Sequence, residues 1–316
     1  MSEQTPIESS PEWFNRALDA QREDGWSVVD DCRIHYATWG EIGKPGIVLV
    51  HGSNAHLEWW RFVAPFLADH FRVAAIDLSG NGDSGWREKY SGESFAKEVK
   101  AVCDDAQLGD NPFVVAHSFG GFVALETGHY FGKELGGIIF ADFTVSPPED
   151  HTEWGKNAEE TGEKARPTRV YDNYETAVGR FRYVPEQPNR YPEVLRYLAT
   201  QSLHQVEGGW TWKFDPALFD HLVMGVDQRD KFVTLECRSA VVLGEHSTDE
   251  GALAGDYMSE ITNSILPVFY IPATHHHFMF DEPMATVAVI KGIILTWIAE
   301  DRRPEMTRAL ADVSII

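Results

Sequence analysis

Apolar residues are distributed along the chain in two alternating textures. Short unbroken apolar runs occur at GIVLVHG (46–52), RVAAIDL (72–78), PFVVAHS (112–118), GGIIFADF (136–143), SAVVLGEHS (239–247) and PVFYIP (267–272). Their length and β-branched content predict strands buried on both faces. Between them apolar residues recur at helical spacing. One set is Trp59, Phe62, Val63, Phe66 and Leu67; another is Phe95, Val99, Val102 and Ala106; a third follows Ser118 in FGGFVALETGHYFG. Late in the chain Val287, Ile290, Ile293, Ile294, Trp297 and Ile298 share one helical face. Residues 11–21 predict a short amphipathic helix, and residues 26–39 a hairpin turned at Asp30-Asp31. Strands alternating with helices in this way predict an α/β fold, with a mostly parallel central sheet flanked by helices.

The alternation stops between residues 146 and 235. This stretch holds prolines at 147, 148, 167, 185, 188, 192 and 216 and many aromatics, among them Tyr171, Phe181, Trp210 and Trp212. Unstructured loops longer than about 12–15 residues are uncommon in compact domains. The stretch is therefore expected to be an inserted, mainly helical lid, residues 146–235. The core would then comprise residues 1–145 and 236–316.

Charge narrows the choice of partner. With 27 basic and 49 acidic residues the net charge is −22. That disfavours nucleic acid, whose phosphates require a clustered basic surface, and it disfavours anionic membranes. The three cysteines, Cys32, Cys103 and Cys237, have wide spacings and no CxxC pattern, and read as reduced thiols. The opening MSEQTPIESS has no apolar segment of the kind that directs secretion. The apolar stretch Val287–Ile298 is interrupted by Lys291 and falls short of a membrane span. A cytoplasmic location is expected.

The candidate chemistry centres on Ala116-His117-Ser118-Phe119-Gly120. A strand is predicted before these residues and a helix after them, the setting in which G-x-S-x-G turns sharply and presents a serine hydroxyl. Flanking positions must be small because the turn brings strand and helix backbones together, and alanine in place of the first glycine adds a single methyl. Gly120 and Gly121 permit close packing of the helix, whose N-terminus favours a developing oxyanion.

Four motifs occur in order: HGSN (51–54), DLSGNGDS (77–84), AHSFGG (116–121) and HHFMFDEP (276–283). With them the chain resembles the α/β-hydrolase superfamily, in its lidded esterase, dehalogenase and epoxide-hydrolase-like branch, over residues 28–145 and 236–300. The resemblance implies a nucleophile at Ser118 and an oxyanion hole from the backbone N–H groups of Ser53 and Phe119. It makes Asp77 a scaffold residue. It places the base just after the last strand, before an H-x-x-x-x-[DE]-x-P segment. Counting back from Asp281 and Pro283 favours His276 among His275, His276 and His277, with His277 as the next candidate. Consecutive histidines cannot easily converge on one ion, so no metal is expected.

The orienting acid is where the chain departs from the family pattern. The usual G-x-x-D after the strand following the lid reads Gly244-Glu245-His246-Ser247 here. Two carboxylates compete for the role: Asp142, after the strand that follows the nucleophile helix, and Asp249, by a small loop shift. Asp142 is favoured, as in some lidded relatives. The reading is a serine hydrolase that cleaves a carboxylic ester or related acyl bond through a Ser-His-Asp triad and an acyl-enzyme, without a cofactor. The aromatic insertion suggests an apolar or aromatic small-molecule ester. A cofactor-free lyase or C–C bond hydrolase would use the same triad, and a ligand-binding receptor could use the same fold. The serine at 118 argues against dehalogenases and epoxide hydrolases, which use aspartate there.

Overall fold

The computed structural model describes residues 10–148, 165–225, 227–248, 253–262 and 265–313, with side chains to residue 302. The hairpin forms as β1 (Glu23–Val29) and β2 (Cys32–Trp39), and its turn residues Asp30 and Asp31 both take positive φ, 47° and 62°. Such a two-residue turn has the twist that a tight hairpin needs, and aspartate tolerates it better than most residues. The parallel strands are β3 (Gly46–Val50), β4 (Arg72–Ile76), β6 (Phe113–His117), β7 (Gly137–Ala141), β11 (Ser239–Gly244) and β12 (Val268–Ile271). The eight strands of the central sheet run in the order β1-β2-β4-β3-β6-β7-β11-β12. Only the β1–β2 and β2–β4 pairs are antiparallel. The remaining minor strands are β5 (Tyr90–Ser91), the hairpin β8 (Leu203–Val206) and β9 (Gly209–Trp212), and β10 (Leu222–Val223).

Two apolar clusters form, one on each face of this sheet, and the strands divide their residues between them. In β3, Ile47 and Leu49 enter one cluster and Val48 and Val50 the other; in β6, Val115 faces one way and Val114 the other. That two-sided burial is why these strands read as unbroken apolar runs. The first face is covered by α1 (Glu12–Asp19), α2 (Ala64–Leu67) and α10 (Pro283–Val313). The second is covered by α3 (Gly92–Asp105) and α4 (Phe119–Phe131). A Ser91–Ser94 capping box starts α3.

The helix expected over Trp59–Leu67 is broken into a 3-10 turn (Leu57–Trp60) and the single-turn α2. Pro65 stands in the first turn of α2, where its missing N–H does no harm, but it cannot continue a helix from upstream. α10 contains a window, 283–302, with mean hydropathy 1.4, long and apolar enough by those two measures to cross a membrane. In the fold, its Ile290, Ile294 and Trp297 are buried in the first cluster, and Trp297 stacks on Phe113 at 6.0 Å. Cys32 and Cys103 are buried and Cys237 is half-buried, all as free thiols.

The described part of the stretch between β7 and β11 is a mixture. It holds α5 (Tyr174–Val178), α6 (Pro192–Gln201), the β8–β9 hairpin, β10 and α7 (Gln228–Val233), while α8 (Gly255–Ile261) and α9 (Phe278–Asp281) follow β11 and β12. It is tied to the core at the DLSGNGDS turn. Gly82 N–H donates to the Lys213 carbonyl at 2.8 Å, Asp215 N–H to the Gly80 carbonyl at 2.7 Å, and the Tyr90 hydroxyl to Asp215 at 2.7 Å.

Candidate active site

The carboxyl ends of the parallel strands converge on one edge of the sheet, where α/β folds place their ligands. Ser118 stands between β6 and α4 with φ 52° and ψ −122°. A serine held there costs on the order of 1–3 kcal/mol and persists only when its surroundings over-determine it. Two backbone bonds do so: Ser118 N–H to the Ala141 carbonyl at 3.0 Å, and Gly121 N–H to the Ser118 carbonyl at 2.7 Å. Gly120 is required by close approach. A Cβ there would lie 2.6 Å from the His51 carbonyl oxygen and 2.9 Å from that of Val50.

The HGSN loop lies against Ser118. A Cβ on Gly52 would sit 3.2 Å from the Cβ of Ser118. Ser53, the next residue, lines the same cavity as Ser118, and Phe119 opens α4 directly beyond it. His51 holds this loop in place. Its Nε2 accepts from Leu78 N–H at 3.0 Å, so its Nδ1–H donates to the Gly52 carbonyl at 2.7 Å. Burial holds the His51 ring below its ordinary pKa, in keeping with that neutral tautomer.

Asp77 is bound up in structure. Its carboxylate accepts from Leu57 N–H at 2.7 Å, Asp83 N–H at 3.0 Å and His35 Nδ1 at 2.8 Å. It thus ties three loops together and lies outside the cavity lining.

His276 follows β12, is 3% exposed, and places Nδ1 2.6 Å from Asp142 Oδ2. Asp142 leaves the end of β7 with φ 48° and is completely buried. It also accepts from Gly244 N–H at 2.8 Å and from the Ser247 hydroxyl at 2.6 Å. Three donors compensate a carboxylate that burial would otherwise make costly. Asp249, the alternative acid, lies outside the described residues.

The three neighbouring histidines are sorted by their partners. His275 Nδ1 meets Asp281 at 3.0 Å and lies outside the cavity lining. His277 lines the cavity, but its Nδ1 pairs at 2.8 Å with the side-chain oxygen of Gln187, an amide rather than a carboxylate. Burial, then the neighbouring His117 and His276, push the His277 pKa well below its usual value. His117 is pushed the same way by burial and by His276, and its Nε2–H donates to the His276 carbonyl at 2.9 Å. The residue before Ser118 thereby anchors the backbone of the loop that carries His276.

Ser118 and His276 line a cavity of about 470 Å³. Nδ1 of His276 is engaged by Asp142, which leaves Nε2 as the ring nitrogen that general-base activation of a serine would use. The apolar part of the wall is mostly aromatic: Trp59, and Tyr171, Phe181, Trp212 and Phe214 from the stretch between β7 and β11. Sequence reasoning did not find the parts played by Ser247, His117 and Gln187. A hydroxyl at the family's usual acid position was the one signal for Ser247; the other two had none.

The profile of the Alpha/beta hydrolase family matches residues 47–289. Esterase Rv0045c of Mycobacterium tuberculosis is 23% identical over 82% of this chain and 85% of its own. The pimeloyl-[acyl-carrier protein] methyl ester esterase of Edwardsiella ictaluri is 33% identical over a shorter stretch, 31% of this chain and 36% of that one. Among solved structures, a thioesterase domain from the curacin biosynthetic pathway superposes with a TM-score of 0.71 at 20% identity, over 87% of this chain and 99% of that one. Because the family profile covers most of the chain and runs from β3 into α10, through every loop that builds the site, this protein belongs to the Alpha/beta hydrolase family.

Proposed function

We propose that the protein hydrolyses a carboxylic ester, or a related acyl bond, of a small molecule. Ser118 attacks the carbonyl, and His276 takes its proton and returns it to the leaving group. Asp142 holds the imidazole in the correct tautomer and stabilises its charged form. The N–H groups of Ser53 and Phe119 receive the oxyanion, and water then releases the acid from the acyl-enzyme. One observation carries the reading: the 2.6 Å pair of His276 Nδ1 with a fully buried Asp142, at the edge of a cavity that Ser118 also lines. Relatives named as esterases support the ester as the bond attacked. Residues 146–235, whose described part supplies most of the aromatic wall, act as the lid and favour apolar acyl or alcohol groups.

A fluorophosphonate probe tests the mechanism. Rapid labelling of Ser118 that is abolished in His276→Ala, together with turnover of p-nitrophenyl esters, is the expected result. A protein inert to the probe and to every ester, yet binding a small molecule tightly, would instead be a receptor on this fold.

A further inference from the structure

The charge of the cavity runs opposite to that of the chain. The molecule carries 49 acidic against 27 basic residues. Yet among the described residues the cavity is lined by Arg180, Arg182 and Lys213 and by no aspartate or glutamate. Of these three, Lys213 is already satisfied, with Nζ 2.8 Å from a carboxylate oxygen of Asp83. The two arginines are not: among the described residues neither has a carboxylate within ion-pair distance. Both are exposed, which puts them on the solvent side of the cavity, away from the buried Asp142. Arg182 is held in place by its own chain, its Nη1 donating to the carbonyls of Gly179 at 2.9 Å and Phe181 at 2.6 Å. These two acceptors are neutral and leave the guanidinium charge uncompensated.

Of the four histidines in the lining, His276 is paired with the Asp142 carboxylate, and the other three do not alter this balance. Burial lowers His56 to about 4 and holds His117 and His277 well below the usual range, so all three are neutral near pH 7. Phe181, Trp212 and Phe214 line the same cavity as Ser118 and the two arginines, so a serine, an apolar wall and cations share one space.

We propose that the substrate is an anionic ester: an acyl chain lying along the aromatic wall and ending in a carboxylate or another oxyanion that Arg180 and Arg182 receive at the cavity mouth. Arginine suits this task, because its fork of donors pairs with oxyanions and its charge persists at every working pH. The proposal rests on the acyl-hydrolase reading for its bond, but not for its anion.

The test compares matched six-carbon substrates, 4-nitrophenyl hydrogen adipate and 4-nitrophenyl hexanoate, with the 6-phosphonohexanoate ester as a third. The expected result is a kcat/KM ratio of about tenfold in favour of the anionic esters at low salt, falling towards one in the Arg180→Gln/Arg182→Gln protein. The same loss is expected for the unaltered protein when salt is raised to about 0.5 M, a measurement that needs no variant. Preference for the phosphonate over the carboxylate would identify the oxyanion without changing the assignment. Equal ratios in the unaltered protein, or a preference that survives the double substitution, overturn it. If no ester is turned over, calorimetric binding of monomethyl adipate and methyl hexanoate to Ser118→Ala protein decides the question. Tighter binding of the anion, weakened by the arginine substitutions, keeps the anion site and discards the hydrolase; equal binding discards the anion site.

Discussion

The Ser247 hydroxyl lies 2.6 Å from Asp142 Oδ2, the same carboxylate oxygen that faces Nδ1 of His276. The two residues come from the ends of β7 and β11, which are neighbours in the sheet with Ala141 paired to Val242. The end of β11 therefore presents a hydroxyl donor to a carboxylate at the end of the neighbouring strand. Asp142 thus meets the imidazole and the hydroxyl through one oxygen.

If Asp142 orients the base, Asp142→Asn lowers kcat by about 10⁴ through loss of the correct tautomer, with folding retained. Adding Ser247→Asp to that protein supplies a carboxylate from the adjacent strand end and is expected to restore at least part of the rate. Steady-state kinetics on one p-nitrophenyl ester, with circular dichroism as the folding check, read both effects. No loss in the single variant would remove Asp142 from the mechanism.

His276 and His277 stand side by side and both line the cavity, but only His276 meets a carboxylate. His276→Ala is expected to lower kcat by about 10³ or more. His277→Ala should act mainly on KM, because the residue contacts the substrate space without holding a proton relay. Comparable losses of kcat in the two proteins would contradict the assignment.

Gly120→Ala would drive a methyl group into the His51 carbonyl oxygen at 2.6 Å, against backbone that cannot swing away. The expected cost is about 1–3 kcal/mol of stability, together with displacement of the HGSN loop and loss of activity beyond what stability explains. Urea midpoints and residual kcat measured on the folded fraction distinguish this from a harmless substitution.

Stability should fall as the solution is acidified below about pH 6.5. His51, His56, His117 and His277 are buried, and burial lowers each below its unfolded value, to about 4 for His56. Below the unfolded pKa the denatured chain binds protons that the native chain refuses. The stabilisation is therefore fully present above pH 6.5 and is lost towards the folded pKa, at up to about 1.4 kcal/mol per pH unit for each histidine. His35 acts in the opposite direction: despite the cost of burial, Asp77 and Asp24 raise it. Buried Glu98, raised by desolvation, opposes the trend at lower pH as well. With half-buried His204 also lowered by desolvation, five histidines against one make the net slope positive between pH 5.5 and 6.5. Urea unfolding at half-unit steps checks it, and a flat profile would contradict the burial argument.

Much of this protein could be read in one dimension because its decisive features are local. An unbroken apolar run marks a parallel strand buried on both faces, and Val114–Val115 in β6 shows the reason, since each faces a different apolar cluster. The serine between a small residue and a glycine is local too: the strained turn at Ser118 is set by its immediate neighbours and by what Gly120 lets approach. Other relationships depend on strands distant in sequence lying side by side. The choice of His276 over His277 rests on Asp142, 134 residues away, and on Gln187, 90 residues away. The support of Asp142 by Ser247 spans 105 residues. The cationic mouth of an otherwise acidic chain depends on where the inserted stretch docks, because a net charge of −22 says nothing about which charges meet in a cavity. Sequence by itself determined the elements, their alternation and the sharp turn at Ser118, because these follow from near-neighbour sterics and burial. Tertiary structure alone decided which histidine meets which carboxylate, because that pairing depends on strand order and loop closure rather than on any local pattern.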